Sequence, residues 1–384
     1  MTPRLLRTPT AGPAPGRLAV SWAALSEFVP LYPLYALLFL DTGLSTAEIS
    51  ALFAVWSVAA VLAEVPAGAL ADRWSRRGVL VCGAVLQAAA FGLWAVAPGT
   101  AGFAAGFALW GVASALYSGT AEALVYDGLR DVGAEDAFAQ VNGRMTAVEL
   151  LAQVPTALAA AALHAVGGFA LVAWASAGVS LTAGALALRL PEPPREREGG
   201  LLATLRDGAS QVARHAPLRI AVGAVALVGG LDAMEEYFPV LAADRGVPTG
   251  AVPFAVLAIA LAGAAGAAAG GRADQLPDGV LPGALGAAAL LLAASAVLPG
   301  PGTVAALALA YGLYLAVLVA AEARLQERIE GSSRATVTSV AGLGVELAGV
   351  LVFAAWALGG AAATAVLVLA VVPVVALGLR VRPG

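Results

Sequence analysis

"GALADRWSRRGVL", Gly68 to Leu80, gathers one acid and three arginines into the six positions from Asp72 to Arg77 of a chain that is otherwise overwhelmingly apolar. The chain's 384 residues are 60% hydrophobic and only 12% charged, with a mean hydropathy of +0.87. A soluble domain carries about 25% charged residues. Apolar windows of about 20 residues, long enough to cross about 30 Å of hydrocarbon as helices, recur from end to end. The sequence therefore predicts an all-α polytopic membrane protein with the lipid bilayer as its solvent, and it makes the opening stretch a charged loop between two spans.

Charges, prolines and glycines punctuate twelve predicted transmembrane helices, beginning near Leu18, Ala47, Gly78, Thr100, Ala137, Gly168, Pro217, Thr249, Gly279, Thr303, Ala335 and Ala361. The long polar stretch after the sixth span is the natural linker between two six-helix halves. The expected organisation is a cytoplasmic tail at 1–17, one half at 18–190, a cytoplasmic linker at 191–216, a second half at 217–380 and a short tail at 381–384. The first tail holds basic residues but no apolar core, so it does not read as a cleavable signal peptide. With the N-terminus inside, twenty of the 21 basic residues, all of them arginine, fall at or near the cytoplasmic face, and only Arg245 falls outside. That positive-inside bias predicts a plasma (inner) membrane protein with both termini cytoplasmic.

Several chemistries are poorly supported. The chain has no lysine, so it carries neither a Walker A lysine for ATP nor a Schiff-base lysine. Cys82 is its only cysteine, and His164 and His215 lie far apart, so no metal site is expected. No nucleophile and base pair stands out either. The expectation is a monomer without enzymatic activity, cofactor or nucleic-acid partner, acting on a small-molecule substrate.

The punctuation repeats. "DTGLST" at Asp41 returns as "DRGVPT" at Asp244; Asp72 and its glycine-rich approach return at Asp274; "AEA" at Ala121 returns at Ala321; and Arg144 with Thr146 returns as Arg334 with Thr336. Two halves of six spans enter the membrane in the same orientation, which is the parallel-repeat plan of transporters that bind substrate between their halves. The fold class expected is thus twelve helices in two pseudo-symmetric six-helix halves.

The opening stretch resembles the signature loop of the major facilitator superfamily, Gly-x-Leu-Ala-Asp-Arg-x-Gly-Arg-Arg, with Ser75 in place of the second glycine. "EVPAGALAD", "EALVYDGLR" and "SSRATVTSV" are similar to a bacterial, twelve-span subgroup of that superfamily. The resemblance implies that Asp72 contacts the start of span eleven, "SSRATV", and that Arg77 pairs with Asp127. Glu64, Gly68 and Asp72 share one helix face at i, i+4, i+8, and Gly68 lets another helix approach closely. Gly68, Asp72, Arg73, Arg76, Arg77, Asp127 and Glu64 are accordingly expected to form a cytoplasmic gate.

Ionisable residues within spans are functional candidates by default. Here they are all acids: Glu27, Glu64, Glu122, Glu149, Asp232, Glu235, Glu236, Glu322 and Glu346. Carriers of anions need buried cationic donors, whereas an acidic cavity suits a cationic or amphiphilic substrate, or protons carried on buried carboxyls. Glu27 lies about 15 Å along its helix from Arg17, beside "FVPLYPLY", where two prolines loosen the helix and Tyr32 and Tyr35 offer cavity walls. Asp232 is its counterpart in span seven. Glu27, Asp232, Glu346, Glu149, Tyr32 and Tyr35 are the expected proton-coupling or cavity residues, with Glu235 and Glu236 placed nearer the outer face. Gly266 and Gly270 read as a helix contact.

These features predict a secondary active transporter exporting a small amphiphilic or cationic compound in exchange for protons. Span five, "AVELLAQVPTALAAAALHAVGG", holds Pro155 without the flanking glycines common in drug antiporters of the superfamily. A proton symporter importing a neutral or cationic metabolite is therefore the alternative, and a non-transporting scaffold or sensor is the alternative of another class.

Overall fold

Inside a bilayer every backbone polar group must be satisfied within the protein, and the apolar windows do this as helices; no strand occurs among the described residues. The computed structural model describes residues 14–193, 216–271, 277, 279–326, 328 and 334–378. Most of the expected tail 1–17 and linker 191–216, and all of 381–384, lie outside them.

Span one comprises helices Ala14–Glu27 and Tyr35–Asp41, span two is Thr46–Arg73, span three Arg76–Val96, and span four Thr100–Tyr117 with Thr120–Asp131. Phe138–Ala187 is a hairpin, turning at Gly167 and at Gly168, whose φ of +61° a side chain would strain, and its two arms are spans five and six. Span seven is Ala216–Gly230, the 3-10 turn Leu231–Tyr237 and helix Phe238–Asp244. Spans eight, nine and ten are Val252–Gly270, Val280–Ser295 and Gly300–Gln326. Arg334–Gly378 repeats the hairpin, with Gly360 at φ +58°, giving spans eleven and twelve. Among the described residues, seven helical stretches are individually long and apolar enough to cross a membrane. Two of these are the hairpins, and spans one, seven and nine make up the rest from shorter pieces.

The repeat seen in the sequence is structural. Both "DTGLST" and "DRGVPT" turn through a left-handed glycine, Gly43 at φ +87° and Gly246 at φ +91°. Each half also breaks its first span at the same place, 28–34 in span one and Leu231–Tyr237 in span seven. Only span four is split by Gly119; span ten runs unbroken.

Helix contacts are made by small residues. A Cβ on Gly266 would land on the Gly312 carbonyl oxygen, and one on Gly270 would come within 2.5 Å of the Ala316 oxygen, so spans eight and ten touch backbone to backbone. Gly266→Leu is expected to lower the thermal unfolding midpoint in detergent sharply, as overpacking costs about 1–3 kcal/mol or more. Gly283→Ala, which meets nothing within 4 Å, is expected to leave the midpoint unchanged or raise it slightly.

The charged loop ties one half together. Arg76 Nη1 donates to Asp127 Oδ2 at 2.5 Å. Arg77 instead donates to the Leu188 carbonyl at 3.1 Å and lies 3.9 Å from Glu192. The Arg77 to Asp127 pair implied by the resemblance is thus replaced by Arg76 to Asp127. Successive residues on a helix point about 100° apart, and this register turns Arg76 toward span four and Arg77 toward the end of span six. Glu192 accepts from Ser75 Oγ and from the Arg76 backbone N–H, both at 2.6 Å, a carboxylate seated on the N-terminus of span three where the helix dipole favours it. Arg73 and Glu64 are exposed, Glu64 accepting from Ser118 Oγ at 2.9 Å, and Gly68 is half-buried. The side chain of Asp72 and most of "SSRATV" lie outside the described residues.

The two halves meet on the face opposite these arginines. Ser50 and Tyr237, from spans two and seven, are hydrogen-bonded through their hydroxyls at 2.7 Å. Phe53 packs edge-on to Tyr237 and against Phe353, and Tyr237 stacks on Trp356 with ring centroids 4.2 Å apart. Toward the arginine-bearing face, Glu64, Glu122 and Glu322 are exposed. Carboxylates on apolar helices face water rather than lipid, so the interior is open toward the arginines and closed at the opposite face.

Candidate functional site

The break in span one builds the first wall of a central cavity. Pro30 and Pro33 supply no backbone N–H, and the chain leaves the helix after Glu27. The freed Leu31 N–H is held by Ser176 Oγ of span six at 3.0 Å. Glu27 therefore sits at the carbonyl-bearing end of a helix, where the dipole adds to its own negative charge and a positive partner is favoured.

The break in span seven builds the facing wall. A 3-10 turn aligns residues three apart, so Asp232 and Glu235 fall in one line toward span ten. Tyr311 Oη lies 3.1 Å from Asp232 Oδ1 and 2.8 Å from Glu235 Oε2. Tyr314 Oη donates to the Gly229 carbonyl at 3.3 Å.

Between these walls lies a cavity of about 290 Å³, bounded by Glu27, Glu235 and Glu236 and by the rings of Tyr32, Tyr35, Trp110 and Tyr311. A smaller cavity of about 160 Å³ shares Glu235 and Glu236 and adds Asp232, Glu346 and Trp56. Among the described residues, no arginine or histidine lines either one. Tyr32 stacks on Trp110 with centroids 5.4 Å apart, and its hydroxyl accepts from Gln87 Nε2 at 2.8 Å. Tyr117 in turn donates to Gln87 Oε1 at 3.3 Å.

The structure thus brings Glu27, Tyr32 and Tyr35 to the larger cavity and Asp232 and Glu346 to the smaller one. Glu149 borders neither and is half-buried on span five. Glu235 and Glu236, expected nearer the outer face, line both cavities. Glu122 and Arg144 are both exposed, and no ion pair joins them among the described residues. Sequence reasoning missed Gln87, Gln153 and Thr156, whose only signal is a lone uncharged polar group in an apolar helix.

Two six-helix halves enclosing a cavity that is polar on a few side chains and open to one face define a membrane transporter fold. The Major Facilitator Superfamily model matches residues 18–353, and the chain belongs to that superfamily. Solved structures of other proteins share the fold, among them three transporters. The nucleoside transporter NupG aligns with a TM-score of 0.74 at 15% identity, covering 96% of this chain and 98% of its own. A bacterial homologue of the human lysosomal transporter Spinster, in an inward-facing and unoccupied conformation, gives 0.73 at 15% identity over 96% of both chains. A D-xylose-proton symporter gives 0.66 at 13% identity over 96% and 98%. No curated protein matches the sequence.

Proposed function

We propose that the protein is a proton-coupled secondary transporter that exports a small cationic or amphiphilic compound by alternating access. The observation that carries this reading is the cavity itself, whose charged lining residues are all acids and whose other walls include aromatic rings. Carboxylates neutralise an ammonium group, and aromatic rings in the cavity wall, those of Tyr32, Tyr35, Trp110 and Tyr311, attract a desolvated cation that reaches a ring face. The same carboxylates bind protons, so a proton and a cation compete for one site, which is the simplest basis for exchange. The positive-inside bias supports a plasma (inner) membrane location with both termini cytoplasmic, and on that orientation the structure is inward-open. The working unit is a monomer, since each chain encloses its own cavity.

Import by proton symport is the second reading, favoured by the absence of flanking glycines around Pro155. Proteoliposomes with an imposed pH gradient and a panel of fluorescent organic cations separate the two. Cation movement against the direction of proton flow supports exchange, and movement with the protons establishes symport. Cation binding without movement in either direction identifies a scaffold or sensor.

A further inference from the structure

We infer that Thr156 is a specificity-determining residue and that the transported cation carries, beside its ammonium group, an oxygen that hydrogen-bonds to this hydroxyl. The inference rests on the organic-cation reading above and adds a second recognition point to it.

Thr156 lies on span five, is only 5% exposed and lines the larger cavity. Its Oγ1 is buried and has no hydrogen-bond partner among the described residues. That is unusual for a threonine in a helix, whose hydroxyl ordinarily bonds to the carbonyl four residues back. Thr146, Thr182 and Thr364 of this protein do so, to Asn142, Gly178 and Gly360. An unpaired buried hydroxyl is destabilising, so Thr156 is an expensive choice at a position where valine has nearly the same shape. The destabilisation is relieved when the side chain turns about its Cα–Cβ bond, exchanging the hydroxyl with the methyl group, and a ligand group in the cavity completes the bond.

The neighbours of Thr156 define the rest of the ligand. Gln153, one helical turn earlier, lines the same cavity, as do Glu27 from span one and Glu235 and Glu236 from span seven. Pro253, Val256 and Leu257 of span eight supply an apolar side. A cavity of about 290 Å³ stands at the lower end of the ligand pockets of about 300–1,000 Å³ found in proteins. The fitting ligand is small, with an amine, an apolar body and a hydroxyl or carbonyl oxygen close to the amine.

The test uses 2-phenylethylamine and its β-hydroxylated analogue, 2-amino-1-phenylethanol, which differ by one hydroxyl. Binding to the purified full chain is followed by tryptophan fluorescence, because Trp110 borders the cavity. The hydroxylated amine is expected to bind roughly two- to tenfold tighter than its parent. Thr156→Val is expected to erase that preference while leaving affinity for 2-phenylethylamine unchanged or improved. The unliganded Thr156→Val protein is also expected to melt at a higher temperature than the wild type. A hydroxyl serving a structural bond would produce a lower melting temperature. Equal affinity of the wild type for both amines, or a preference that survives Thr156→Val, overturns the assignment of Thr156 alone. Failure of both amines to bind overturns the organic-cation reading and the ligand class inferred from it.

Discussion

Glu27→Gln is expected to lower the initial rate of organic-cation transport at pH 7 by about tenfold or more and to flatten its dependence on pH. Glu27 is the acid that the N-terminal half contributes to the larger cavity, across from Glu235 and Glu236 of the other half. Glutamine keeps the shape and hydrogen-bonding capacity but removes the charge. A charge-assisted bond contributes about 1.5–3 kcal/mol, and a factor of ten corresponds to about 1.4 kcal/mol. The sign with pH follows from competition. Protons occupy the wild-type carboxylate as pH falls and displace the cation, so wild-type affinity declines toward acid; the variant has no group at position 27 to titrate. Initial rates and binding constants of both proteins across pH 5 to 8 check this. An unchanged thermal midpoint excludes misfolding as the cause, and an unchanged rate with an unchanged pH profile would remove Glu27 from the site.

The sequence makes the course of the chain through the membrane legible because its signals are local. Prolines at 30 and 33 announce the break in span one, the glycine pairs at 167–168 and 359–360 announce the hairpins, and the arginines mark one face. Facing is less legible. That Glu235 and Glu236 line the cavities is not visible from a regular helical spacing, because Leu231–Tyr237 winds as a 3-10 turn. At about 120° rather than 100° per residue, that turn swings Glu235 into line with Asp232 and under Tyr311. Arg76 and Arg77 are indistinguishable in a motif, and only the register of span three decides which of them reaches Asp127. Thr156 is less visible still, since what sets it apart is a bond that it does not make.

Linking Ser50→Cys to Tyr237→Cys with a short, reducible bismaleimide is expected to reduce transport to the level of protein-free vesicles. Ser50 and Tyr237 belong to different halves, and their hydroxyls meet at 2.7 Å on the closed face. Phe53, Phe353 and Trp356 pack around the same ring. Alternating access requires the halves to separate there when the arginine-bearing side closes, and a covalent link forbids it. Cys82 is the one native thiol, so the pair is built on Cys82→Ala. Before linking, the double variant lacks the Ser50–Tyr237 hydrogen bond and the edge-on contact of Phe53 with Tyr237 between the halves, which shifts the population toward the alternate state without preventing transport. Reduction of the linker is expected to restore that activity, which separates locking from misfolding. The linked protein is expected to keep its affinity for organic cations, because the cavity remains open toward the arginines. Transport by the linked protein at the unlinked rate would show that the halves do not part at Ser50 and Tyr237.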